Sequence, residues 1–276
     1  MPALPRLIAT DLDGTLLDDR RELTARTVAA VRAAVALGVE VVLVTARPPR
    51  TVAPLVARLG GGVEALCGNG TLLAEYSLDG TWRSTRIKTF DPAEASRIVE
   101  QLRPVLPDAG FALETGDEVI FEAAFGLGAV TDERRVLTED LLGTIAASGP
   151  SIKVLARAWE RSADAMVELA ERTLTVDAEI SHSGGRGLLE IAPPGASKAS
   201  GLAWLCARRG IEAAQVVAFG DMPNDLPMLR WAGVGHAVAN AHPEVLAAAD
   251  RVVGHHAEEG VAAALEDLLA GARVTG

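Results

Sequence analysis

Leu7-Ile8-Ala9-Thr10-Asp11-Leu12-Asp13-Gly14-Thr15, residues 7–15 of a 276-residue chain, carries a short apolar run straight into two acids and a glycine. A continuous apolar run of this length reads as a strand buried on both faces. Two acids spaced two apart on an extended chain project the same way, about 6–7 Å from each other. Neighbouring carboxylates repel, and one is driven to keep its proton unless a cation holds both charged. A hard divalent ion meets that need, since Mg²⁺ takes one or two carboxylates together with waters and phosphate oxygens. A calcium loop of the helix–loop–helix kind does not fit, because its glycine comes later in the loop than Gly14 does. Taken alone, the pair also suits loop acids that cap helices.

Outward from this strand the pattern repeats. Thr24 is placed to cap a helix reaching residue 37, which Gly38 ends. Residues 39–44 form a second apolar strand; Pro48 and Pro49 then break the chain, and Thr51 starts a helix ending near Gly60. Residues 63–67 make a third strand. Late in the chain Ser197 caps a helix to residue 209, stopped by Gly210. Strands follow at 216–219, 234–238 and 251–253, with helices at 225–231, after Pro243 and at 258–269. Apolar strands alternating with helices predict an α/β, doubly wound, mostly parallel Rossmann-like core sheet.

The middle of the chain obeys another grammar. Residues 72–76 and 82–88 flank Asp79-Gly80, a hairpin signal. A helix at 92–102, strands within 111–121 around Gly116-Asp117, a strand at 152–155, a helix at 160–173 and strands near 176–181 and 188–191 follow. This mixture predicts an inserted α+β cap domain at 88–187, with the core built from 1–87 and 188–276.

Composition narrows the function. Apolar residues make up 49% of the chain, which suits a globular protein and not a disordered one. The net charge of −11 and the lack of a basic patch argue against a nucleic-acid surface. No apolar run is long enough for a membrane span, and the opening residues pass Arg6 straight into a strand without a signal-peptide pattern, so a cytoplasmic protein is expected. Cys67 and Cys206 read as buried thiols, and His182, His236, His242, His255 and His256, in no metal spacing, as solvated side chains. Gly126-Leu127-Gly128 lacks the third glycine of a dinucleotide fingerprint, and neither a Walker phosphate loop nor a G-x-S-x-G elbow is present. The tryptophans, Trp159 among them, read as packing residues, and Glu114, Asp117, Glu118 and Glu122 as solvent-exposed acids.

In an open α/β sheet ligands bind beyond the carboxyl ends of the strands, at the switch point. Four polar clusters fall there: Asp11 and Asp13; Thr45 and Arg47; Gly68-Asn69-Gly70; and Gly220-Asp221-Met222-Pro223-Asn224-Asp225. Asp221 offers a third carboxylate. Lys198 is one of three lysines among 26 basic residues, and it sits in the first turn of a predicted helix, where a cation meets the positive end of the dipole. That placement asks for an anion such as phosphate.

These residues together resemble the haloacid dehalogenase superfamily, specifically its Cof-type phosphatases with an inserted α/β cap. Asp11-Leu12-Asp13-Gly14-Thr15 resembles the nucleophile motif, Val42-Leu43-Val44-Thr45-Ala46-Arg47 the threonine motif, Gly195-Ala196-Ser197-Lys198 the lysine motif and Gly220–Asp225 the acidic motif. Similarity extends to Gly68-Asn69-Gly70, Leu189-Glu190-Ile191 and Asn240-Ala241-His242-Pro243-Glu244-Val245. The resemblance implies that Asp11 attacks phosphorus to give an aspartyl-phosphate, that Asp13 acts as acid and base, and that Mg²⁺ is held by the Asp11 carboxylate, the Asp13 carbonyl and Asp221. It implies that Thr45, Lys198, Asn224 and backbone amides near Leu12 and Ala46 cradle the phosphate, with Asp225 anchoring Lys198 or metal-bound water. Arg47, Asn69 and Arg186 are further candidates for substrate contact. Ala46 stands where many relatives carry glycine, and Pro223 and Pro227 also resemble the mannosyl-3-phosphoglycerate phosphatases.

The expected reaction is Mg²⁺-dependent hydrolysis of a small phosphorylated metabolite, such as a sugar phosphate or a phosphorylated cofactor, with no nucleic-acid or membrane partner. A phosphosugar mutase, a mannosyl-3-phosphoglycerate-type phosphatase and a catalytically idle regulatory binding protein stand as alternatives. Substrate and oligomeric state stay open at this level.

Overall fold

The computed structural model describes residues 4–77, 79–127, 134–182 and 187–273. Contacts divide the chain into two compact units, one from residues 1–85 and 197–276, the other from 86–196.

The first unit is built on strands β1 (Leu7–Thr10), β2 (Glu40–Val44), β3 (Val63–Cys67), β4 (Leu72–Tyr76) and β5 (Trp82–Arg86), with helices α1 (Ala25–Ala36) and α2 (Pro49–Leu59) between the first three. Thr24 caps α1 by accepting the Thr27 N–H, as its position in the sequence predicts. The proline pair does not break the chain before α2. Pro48 takes the N-cap position and Pro49 opens the helix, where a missing N–H costs nothing.

Residues 86–196, between the two halves of the first unit, carry α3–α5 and β6–β11. The first unit's later elements are α6 (Lys198–Arg209), β12 (Val216–Gly220), α7 (Leu226–Trp231), β13 (Val234–Val238), α8 (Pro243–Ala248), β14 (Arg251–Val253) and α9 (Gly260–Arg273). Its sheet runs β14-β13-β12-β1-β2-β3-β4-β5, parallel from β14 to β3, with β4 antiparallel to β3. From β1 the early chain winds one way and the late chain the other. Right-handed crossovers in opposite directions put helices on both faces and leave a switch point between β1 and β12. Leu7 to Ala9 and Val216 to Phe219 are buried there.

The second unit holds α3 (Pro92–Leu102), β6 (Gly110–Glu114), β7 (Val119–Phe121), β8 (Arg135–Leu137), α4 (Leu141–Ala147), β9 (Lys153–Arg157), α5 (Ala163–Thr173), β10 (Glu179–Ser181) and β11 (Leu188–Ala192). Its sheet runs β10-β11-β9-β6-β7-β8, and only β7 with β8 is parallel among the pairs described. Periodicity assigned residues 188 onward to the core. The structure instead pairs β11 antiparallel with β9 and β10, so this unit ends at residue 196. The short elements β8 and α4 escaped the sequence reading. Alternation explains the packing: Phe111, Leu113, Val154, Ala156, Leu189 and Ile191 point to one face and form a core with Ile98 and Met166. The second face carries Ala112, Val119 and Phe125, with Leu155 and Leu188 against them.

Phe111 is fully buried in that core. Phe111→Ala is expected to cost about 3–5 kcal/mol of stability, read as a lower urea midpoint.

Candidate active site

Hydrogen bonds first place the end of β1. The Asp11 N–H donates to the Phe219 carbonyl at 3.0 Å, tying the nucleophile-motif strand to β12, and the Thr10 hydroxyl donates to the Asp11 carbonyl at 2.8 Å. The chain then turns through Gly14, whose φ of +76° favours glycine. The missing side chain matters as much as the angle: a Cβ there would come within 2.4 Å of Asp221 Oδ2. Gly14 therefore lets the β1 loop close onto the acid that follows β12.

Lys198 is the centre of the cluster. Its Nζ donates to Asp11 Oδ1 and to Asp225 Oδ1, both at 2.7 Å, with all three side chains buried. Ser197 caps α6 by accepting the Ser200 N–H, which fixes where the lysine leaves the helix. Asp225 has further partners, since its Oδ2 accepts the backbone N–H groups of Asp221 and Met222 at 3.1 and 3.0 Å. Asp221 accepts the Thr15 hydroxyl at 3.0 Å. Ligand atoms of Asp11, Asp221 and Asp225 all lie within 4.8 Å of one another.

Three carboxylates facing one ammonium leave the cluster short of positive charge. Burial pushes the Asp11 carboxyl up to about 8; the Lys198 charge opposes the shift, and Asp225 and Asp221 add to it. Asp221 rises to about 6 through burial and the Asp225 charge, against the Thr15 hydrogen bond and the charges of Lys198 and His256. Burial works against the Lys198 charge, yet Asp11 and Asp225 keep its pKa above the ordinary value. Asp225 already accepts three hydrogen bonds, one from the lysine and two from amides. Asp11 and Asp221 are the acids left needing charge, and a divalent cation with oxygen ligands fits them.

The other predicted residues divide. Asp13 is not among the three clustered carboxylates; Arg47 grips it with two prongs, Nε to Oδ2 at 2.6 Å and Nη2 to Oδ1 at 2.5 Å. Thr45 is buried, its hydroxyl accepts the Arg47 N–H at 3.1 Å, and its carbonyl accepts the Asn69 N–H at 2.9 Å. Leu12 is buried, and Ala46 is half-buried beside Thr45. Asn224 Nδ2 reaches Asn69 Oδ1 at a long 3.4 Å, while Asn224 Oδ1 is buried with no hydrogen-bond partner among the described residues. Arg186 lies outside the described residues.

Sequence reasoning missed a brace behind the loop. Asn240 Nδ2 donates to the Gly14 carbonyl at 2.8 Å, and its Oδ1 accepts the His256 N–H at 3.0 Å. His256 Nδ1 donates to the Leu17 carbonyl at 2.8 Å, and Nε2 stands 3.2 Å from Asp19. His256 is thus mostly enclosed, not solvated, and His236 is buried against the Phe219 ring. The segment beginning at Asn240 carried the available signal; nothing marked His256. Glu114 also departs from expectation, being buried with Oε1 accepting the Gly116 N–H.

The model of the haloacid dehalogenase-like hydrolase family matches residues 8–265. Among curated relatives, the 5-amino-6-(5-phospho-D-ribitylamino)uracil phosphatase YitU of Bacillus subtilis is 28% identical, over 97% of this chain and 98% of its own. The pyridoxal phosphate phosphatase YbhA of Escherichia coli is 27% identical, over 93% of this chain and 96% of its own. A solved haloacid dehalogenase-like hydrolase from Bacteroides thetaiotaomicron superposes with a TM-score of 0.77 at 26% identity, covering 96% of this chain and 99% of that one. The chain belongs to the haloacid dehalogenase-like hydrolases, as a phosphomonoester hydrolase of the Cof type.

The raised acids give a pH signature to the cation-free protein. An unfolded-chain aspartate titrates at about 3.9, so the native state keeps protons on Asp11 and Asp221 that the unfolded chain has released. Their contribution to stability is present at low pH and is lost as pH rises towards about 6 for Asp221 and about 8 for Asp11. Urea unfolding in EDTA should show Asp11→Asn reducing the loss between about pH 5.5 and pH 8 by roughly 1 kcal/mol or more.

Proposed function

We infer that the chain is a Mg²⁺-dependent phosphatase of small phosphorylated metabolites that works through an aspartyl-phosphate on Asp11. The observation that carries this reading is the bridge from Lys198 to Asp11 and Asp225, with Asp221 beside it. Asp11 and Asp221, with the Asp13 carbonyl that the family resemblance implies, would hold the cation, which when bound neutralises phosphoryl oxygens.

The chain's own residues do the rest. An Asp11 carboxylate oxygen attacks phosphorus, and the new O–P bond forms as the bond to the leaving alcohol breaks. Asp13 gives its proton to the departing alkoxide. It then takes a proton from the water that attacks the phosphoenzyme, which releases phosphate and restores the Asp11 carboxylate. Lys198, Thr45, Asn224 and the amides near Leu12 and Ala46 cradle the transferred group. Arg47 grips Asp13 as the carboxylate, the form that takes the proton from water, Asn69 supports the Thr45 loop, and Asp225 keeps Lys198 in place. Residues 86–196 correspond to the inserted cap that the family resemblance implies, the part expected to select substrate. The names of YitU and YbhA carry small phosphorylated metabolites, a pyrimidine derivative and pyridoxal phosphate, and support the same class here.

EDTA should abolish phosphate release from a metabolite panel and Mg²⁺ should restore it; chelator-resistant hydrolysis overturns the metal assignment. Asp11→Asn is expected to remove turnover, and Asp13→Asn to lower kcat by about 10²–10⁴-fold. Phosphate appearing from a sugar monophosphate supports hydrolysis, whereas an isomerised sugar phosphate without free phosphate means a mutase.

A further inference from the structure

Arg157, on β9 of the second unit, carries a half-buried guanidinium with an aromatic ring on two sides. Arg26, Arg47, Arg83, Arg103, Arg161 and Arg209 each pair with a carboxylate. Arg157 has no ion-pair or hydrogen-bond partner among the described residues, and its half-buried guanidinium has a pKa lowered by burial alone. Its Nε is buried without an acceptor.

Its surroundings are nonetheless ordered. The guanidinium carbon lies 4.8 Å from the Phe125 ring centroid and 4.8 Å from that of Trp159. Trp159 is 48% exposed, so the sequence reading of it as a packing residue is incomplete. The indole rests against Gly126, whose φ is +65° and where a Cβ would come within 3.1 Å of Nε1. Leu188 pairs with Arg157 in register, and Leu155 shares its sheet face.

A guanidinium is planar and directs its N–H groups outward in that plane. Aromatic rings beside the group leave its in-plane edge for a ligand, and a carboxylate or phosphate is the group that accepts there in two prongs. We propose that Arg157, flanked by Phe125 and Trp159, forms an anion-binding site in the second unit for a small organic carboxylate or phosphate with an apolar body. Leu155 and Leu188, both half-buried, supply the surface for that body, and the half-exposed indole forms one wall. Every residue of this site belongs to the second unit, so the ligand is a free small anion and not one held by the Asp11 cluster.

The test does not depend on catalysis. Phenylphosphonate, which phosphatases do not hydrolyse, is titrated in EDTA while the Trp159 indole N–H resonance, assigned through Trp159→Phe, is followed by NMR. The wild type should show a saturable shift, and Arg157→Gln should weaken the apparent affinity at least tenfold. Arg157→Lys, which keeps the charge but loses the fork, should weaken it at least threefold and serves as the readout if the glutamine variant fails to fold. No saturable shift in the wild type, or the same affinity in the variants, overturns the site.

Discussion

One buried ammonium organises this protein. Lys198 reaches Asp11 across 187 residues of sequence and Asp225 across 27, and it holds both acids at hydrogen-bond distance in a place where water does little screening. Taking a lysine and two aspartates out of water is costly, and removal of the lysine would leave two buried acids without their cation. The surrounding structure reduces that penalty with directed contacts: two backbone amides on Asp225, a threonine hydroxyl on Asp221 and a serine cap at the start of α6. What these contacts leave unmet is positive charge near Asp11 and Asp221, and that deficit is the chemical character of the site.

The fold supplies the meeting point. Strand order reverses between β1 and β12, so the loops leaving those two strands diverge in sequence and converge in space. Gly14 allows the approach, Asn240 holds the Gly14 carbonyl from the next loop along, and His256 holds Asn240 and Leu17 in turn. The loop of the nucleophile motif is thus braced from behind by Asn240 and His256. Arg47 performs a parallel task on the second strand's loop, where it fixes the Asp13 carboxylate through a planar two-pronged contact.

The core was legible because its signals are local. Apolar strands, capping residues such as Thr24 and Ser197, and stop glycines each act within a few residues, and the structure has those elements close to where they were expected. The proline pair before α2 misled because proline both ends and begins helices, and only the flanking turn decides which. The second unit was less legible. Its strands are short, its pairings join distant segments, and β11 could be placed only by finding its partners in β9 and β10. Burial misled in the same way at Glu114, His236 and His256, whose polarity suggests exposure until tertiary contacts enclose them.

By itself the sequence determined the alternation of strand and helix and the identity of the motif residues, because propensity, capping and the two side-chain periods are properties of neighbours along the chain. Only the tertiary structure decided that Lys198 joins Asp11 to Asp225, that Asp13 turns to Arg47 while Asp221 turns to Thr15, and that Arg157 meets no acid among the described residues. Charge pairing depends on distance in space, and no spacing along the chain encodes which of 37 acids a given cation will meet.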